Sequence, residues 1–546
     1  MSYDSETEVE RTPPRGKVIS LQGHQAAEQV LDDLSRATRH SRDYGRLVRK
    51  AADLGLPMLA ATVRHLDSSH PTRLAILGDI LLAYSPQAEG LDTLARAATD
   101  RRNSDNRRMG AIILLCNYYP HLPVSEDFLS GLRNPIGTAA HALVSVLGEC
   151  AGDPELLTGN TGFLAALLSQ PVDILYAALN RIADMPDEGA VPALRLLALH
   201  PHPDLMEAAV EALGARVSVS AIRSLTMLEP NLPGEPAHVA SRLLHKIRLS
   251  GLYGAEFAPQ TEHAARAILS AVDGRGRRML WLHVPPTSAV SRPVFMGLLM
   301  SDYAGLIELV GPTARSTDAV SRPPTPGPVG TLYPPMVYKL PDIPANLATV
   351  SCVEVPYGYG LRLLRKAVSR NWLTGTPLPL EYQLLFNLIW QFGQGNGDEE
   401  SYVTRFVERD DRSLAESESE SELLANSLFD SWYLESAGVR LVAEELAALD
   451  YDFSHELTED NWRILLPSII RLAHDEFGPE LRMRYANRLR LMSEWLRFSD
   501  QHHDADLAAS AAYTIVNSPP EANLFVLRLV QKGILVALSE LTFDLR

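Results

Sequence analysis

A helical unit that returns every 31 residues between Pro171 and Ser250 constrains this chain more than any other feature of its sequence. Ala177, Ala178 and Leu179 are followed by Ile182, and Ala208, Ala209 and Val210 by Leu213, each group forming one small-and-branched apolar stripe. The step between the two is 208 − 177 = 31, and a third stripe, Val239 and Ala240 followed by Leu243, Leu244 and Ile247, repeats it at 239 − 208 = 31. Apolar residues three and four apart mark one face of an amphipathic helix. A fixed period adds an architectural constraint. One helical unit cannot bury its stripe alone, whereas a stack of units can.

Shorter helical segments lie between these stripes, Ala190 to Leu199 and Val219 to Met227. Met185 to Gly189 forms the turn before the first, and His200, Pro201, His202 and Pro203 separate one pair from the next. Proline and aspartate at such points supply helix stops, N-caps and first-turn positions, so each unit reads as a helix–turn–helix hairpin. The hairpins resemble the HEAT family in its short variant, the phycobilisome-lyase type of HEAT-like repeat, because the usual HEAT period is roughly 40–47 residues. The resemblance implies an α-solenoid with a long concave surface, and it brings no catalytic residues with it. It also implies an alternative, a HEAT-like enzyme of lyase or DNA-glycosylase type.

Composition limits the partners. The net charge of −17 argues against a phosphate-backbone partner, since nucleic-acid affinity comes mainly from Lys and Arg; no nucleic acid is expected. Apolar runs such as Ala111 to Cys116 stop far short of the roughly 18 residues a membrane span needs, so no membrane is expected. The acidic stretch Met1 to Glu10 lacks the basic and apolar regions of a secretory signal, so the chain is expected to stay in the cytoplasm. Cys116, Cys150 and Cys352 are too widely spaced for a zinc ribbon or a disulfide framework and read as buried free thiols.

In chain order, residues 1–21 are polar and read as a disordered tail, and 22–255 as the HEAT-like α-solenoid. At Asp273 the pattern changes. Arg277 to Val284, Val294 to Met300 and Ala304 to Val310 are short apolar runs bounded by Pro, Gly or Ser-Asp, which predict strands, with a helix as the alternative over Gly305 to Val310. A proline-dense connector follows, and Ala348 to Val355 returns as a last strand. Residues 273–355 are therefore expected to form a β-containing insert with exposed edges to be covered or paired. Helices resume over 356–546, interrupted by a Gly-rich turn, Gly393 to Asp398, and an acidic low-complexity run, Ser413 to Glu422. The expected fold is mainly α: a solenoid, a small β insert and a second, C-terminal helical array.

The search for chemistry finds little. There is no Walker-type phosphate loop, no G-x-S-x-G and no H-E-x-x-H. Gly358, Tyr359 and Gly360 open a helix whose N–H groups suit an anion, although a plain helix entry explains them as well. The one metal-competent cluster is Asp500, His502, His503, Asp504 and Asp506, where imidazole and carboxylate suit a divalent cation. The same stretch reads equally as a polar loop ending in an Asp N-cap near Asp506. His502, His503, Asp504 and Asp506 are thus weak metal candidates, and no cofactor and no catalytic residue is assigned. The expected function is a non-catalytic protein–protein interaction scaffold whose partner is another protein.

Overall fold

The computed structural model of the chain describes residues 21–39, 41–84, 87–121, 128–251, 265–287, 290, 292–310, 329–333, 351–392, 418–448 and 459–544. The tail, most of the proline-dense connector, the turn Gly393 to Asp398 and the first half of the acidic run lie outside them. The described residues are mainly helical, with one small antiparallel sheet. Contacts divide the chain into two compact units, residues 1–150 with 159–184, and residues 151–158 with 185–546. That division falls inside the stretch 22–255.

The first unit is all helical: α1 (Leu21–Arg36), α2 (Arg42–Asp53), α3 (Leu56–Arg64), α4 (Pro71–Ala83), α5 (Gln87–Thr99), α6 (Asp105–Tyr118), α7 (Pro135–Glu149), α9 (Thr161–Leu168) and α10 (Val172–Ala183), with α8 (Pro154–Thr158) assigned to the second unit. Local chemistry sets the starts. Ser41, Ser104 and Asn134 each accept a hydrogen bond from the N–H three residues on, and Pro71 and Pro135 take first-turn positions that need no donor. Helices pack on their next-but-one neighbours, α1 on α3 and α3 on α5, α2 on α4 and α4 on α6. Gly78 permits one of these approaches, because a Cβ there would collide with the Tyr118 ring, whose hydroxyl donates to Ala75 O at 3.1 Å. Arg39 and Tyr44 both donate to the carboxylate of Asp79, the hydroxyl at 2.8 Å, tying α2 to α4.

The second unit begins with α11 (Asp187–Leu197), α12 (Pro203–Gly214), α13 (Val219–Leu228) and α14 (Gly234–Leu249). The helix starts at 172, 203 and 234 keep the spacing exposed by the sequence, 203 − 172 = 31 and 234 − 203 = 31. Here too α11 packs on α13 and α12 on α14. Gly214 admits the Leu243 side chain of α14. Arg216, after α12, pairs with Asp187 and donates to Met185 O at 2.6 Å, which locks one inter-helix turn onto the next.

Six strands follow: β1 (Arg266–Ser270), β2 (Arg277–Val284), β3 (Val294–Ser301), β4 (Gly305–Val310), β5 (Leu332–Tyr333) and β6 (Cys352–Val355), in spatial order β4-β3-β2-β1-β6-β5 and all antiparallel. Two sequence expectations need correcting. The sheet starts at Arg266 rather than 277, and β1, unforeseen, is a central strand of only five residues. The helical alternative for Gly305 to Val310 is wrong, because that segment pairs with β3 around a register shift at Leu299/Met300. Gly305 has φ +83°, and a Cβ there would collide with the Asn371 side chain.

One sheet face, carrying Ala267, Leu269, Leu280 and Leu282, is covered by α15 (Tyr357–Thr374), whose Gly360 rests against Ala267 and Leu280. The other carries an apolar cluster of Ile268, Met279, Trp281, Leu299, Tyr333 and Cys352. The chain continues through α16 (Leu380–Trp390), 3-10 turns at Glu418–Ala425 and Ser427–Phe429, and α17 (Ala437–Ala447), α18 (Glu459–Glu476), α19 (Pro479–Phe498), α20 (His502–Asn517) and α21 (Leu524–Asp544). All three cysteines are buried and none is in a disulfide; burial pushes the Cys116 thiol up to about 11.

Candidate functional site

The candidate metal residues lie where α19 turns into α20. The helix starts at His502, not near Asp506, so the Asp N-cap expected there does not form; Gln501 occupies the cap without a side-chain bond. Asp500 sits in the left-handed region at φ 59°, and the N–H groups of Asp500 and Gln501 return to Arg497 O (3.2 Å) and Leu496 O (2.9 Å). That pattern is a Schellman helix ending. Its side chains diverge. Asp504 accepts from Asn426 at 2.9 Å, Asp506 pairs with Arg497 at 3.1 Å, and His502 stands 3.9 Å from Asp500 with both largely exposed. Among the described residues no group of three or more His, Cys, Asp or Glu is arranged to hold a metal ion. Of the other sequence candidates, Gly360 serves packing against the sheet.

Three polar constellations that sequence spacing did not expose gather around the sheet. In the first, buried Arg488 of α19 donates to Asp302 Oδ2 at 2.6 Å and to Gly274 O at 2.6 Å, clamping the β1–β2 and β3–β4 turns to one helix. Trp495 and Trp432 add indole donations to Leu269 O (2.9 Å) and Val272 O (3.0 Å). Removing one partner of such a buried pair typically costs about 3–5 kcal/mol, and the clamp is accounted for by stability alone.

The second concerns the β4 edge. Asn371, fully buried on α15, accepts from Leu306 N–H at 2.6 Å and donates to Leu306 O at 3.0 Å. Its amide thus does for Leu306 what a neighbouring strand would do. At that residue the edge anticipated as a partner-strand acceptor is already satisfied from within.

The third places titratable groups together on the face opposite α15. Fully buried Glu354 of β6 accepts from the Tyr333 hydroxyl and lies 3.6 Å from Arg266 Nη1. Arg266 is the cross-strand partner of His283 on β2, and His283 of Phe295 on β3. Burial holds the His283 pKa below its ordinary value, opposed by Glu354 and assisted by Arg266, and its Nδ1 is buried without a hydrogen bond. These residues come from five strands and lie up to 88 positions apart (354 − 266 = 88), so no local motif announces them.

An open cleft of about 470 Å³ lies between α17, α21 and the segment 433–436. Its floor depends on Gly533, where a Cβ would collide with Leu434 O, and Leu434 N–H donates to Leu529 O at 3.1 Å. Buried Val439, exposed Leu441, Val536 and Ala537 make it apolar, while Glu435, Glu444 and Glu540 outnumber Arg440 in the lining. No family model, curated protein or solved structure matches the chain. No single helix among the described residues is long and apolar enough to cross a membrane.

Proposed function

We propose that the chain is a non-catalytic interaction scaffold, its helical hairpins stacked as a HEAT-like α-solenoid, and that its partner is another protein. The observation that carries this reading is the exact return of helix starts at 172, 203 and 234, together with next-but-one packing of α11 on α13 and α12 on α14. Stacking of that kind buries one face of each helix and leaves a continuous row of outward residues available for recognition. On α14 that outward row runs through Glu235, His238, Arg242, His245 and Lys246, all exposed.

Photo-crosslinking tests the reading. A benzophenone amino acid placed at Glu211 or His245, exposed positions of α12 and α14, is expected to trap one recurrent polypeptide in the native cell. If neither position, nor a further series of exposed positions along the hairpins, yields a discrete adduct, the scaffold reading fails.

A further inference from the structure

The cleft between α17 and α21 gives the proposed scaffold a partner chemistry. Two of its carboxylates, Glu444 on α17 and Glu540 on α21, are exposed and have no ion-pair partner among the described residues, whereas Glu435 is held by Arg275 at 2.7 Å. Between them lies an apolar trough of Val439, Leu441, Val536 and Ala537. Leu441, 57% exposed, is the most accessible apolar side chain of this trough. The walls are two helices whose lining residues recur at helical spacing, 440 and 444 on one and 533, 536, 537 and 540 on the other. A trough with apolar side chains between two helices, edged by carboxylates, complements an amphipathic helix whose apolar stripe is flanked by Lys or Arg.

We propose that this groove binds a basic amphipathic helical segment of a partner protein, its apolar residues seated over Ala537 and Leu441 and its cations beside Glu444 and Glu540. The proposal rests on the scaffold reading and adds the place and the charge of the partner. Charge complementarity selects this occupant: with Glu435 held by Arg275, the lining still offers two carboxylates, Glu444 and Glu540, against the one guanidinium of Arg440, and the whole chain carries −17. An acidic or neutral helix gains nothing from the rim and would leave Glu444 and Glu540 uncompensated.

The test uses the full-length protein and a fluorescently labelled model peptide of about five helical turns, with Leu at i, i+3, i+4 and i+7 and Lys flanking the stripe. A control peptide carries Glu in place of every Lys. Anisotropy is expected to show saturable, salt-weakened binding of the Lys peptide and at least about tenfold weaker binding of the Glu peptide. The double variant Glu444→Lys with Glu540→Lys, and separately Ala537→Trp, which fills the trough, are expected to weaken the Lys peptide by about tenfold or more, while Arg440→Glu tightens it. Circular dichroism melts identify any variant that fails to fold, and the exposed rim substitutions supply the decision if Ala537→Trp does.

Equal binding of both peptides, no binding of the Lys peptide, or binding indifferent to all three variants overturns the proposal. Photo-crosslinks at α12 and α14 that persist alongside such a result leave the scaffold reading standing and remove only this groove from it.

Discussion

Asn371 shows how one side chain decides whether a sheet edge is open. Its amide satisfies both backbone groups of Leu306 in a buried site, so Asn371→Ala strands a donor and an acceptor together. The expected loss is about 2–4 kcal/mol, given the cost of each buried unsatisfied group, and urea unfolding measures it; a loss below about 0.5 kcal/mol would show that the edge does not rely on this amide. His283 sets a pH dependence. Its folded pKa lies below the ordinary value of 6.5 because burial disfavours the imidazolium. The unfolded chain therefore binds the proton more readily, and stability is full above pH 6.5 and falls as pH drops below it toward the folded pKa. A shallower decline between pH 7 and 5 is expected in His283→Gln than in the wild type; parallel curves would contradict the assignment. Neither role was legible in the sequence, since Asn371 and Leu306 are 65 positions apart and His283 sits in an ordinary strand pattern.

At the scale of elements, what the sequence revealed were the features with local signatures. The 31-residue step survives as helix starts because a proline stands at each, Pro171, Pro203 and Pro233, and β2, β3 and β4 emerge from short apolar runs cut by Pro and Gly. What stayed hidden depends on long-range pairing. β1 has only five residues, yet it sits between β2 and β6. The Asp500 turn resembled a ligand cluster because a Schellman ending and a metal loop draw on the same polar residues. Hydrogen exchange separates the elements: amides at Ala267 to Leu269 and Leu280 to Leu282, in central strands, are expected to exchange far more slowly than those at Ile307 to Leu309 on the edge. Comparable rates across all three would mean that the sheet opens as a unit and that β1 is not its centre.

For the whole molecule, repetition and charge carry the account. In the proposed solenoid, helices that pack next-but-one would gain stability by adding neighbours rather than by closing a single core, which would leave extended faces for recognition. With −17 charges the chain is expected not to bind duplex DNA at physiological salt, and sub-micromolar, salt-sensitive retardation in a gel-shift assay would return the glycosylase-type alternative to consideration. The claim that the chain exists to hold another protein is tested most directly by light scattering coupled to size-exclusion chromatography, applied to the protein released gently from its native source. The mass expected is that of this chain plus a second, different polypeptide in fixed stoichiometry across the peak; a peak containing this chain alone, at every protein and salt concentration tried, would contradict it.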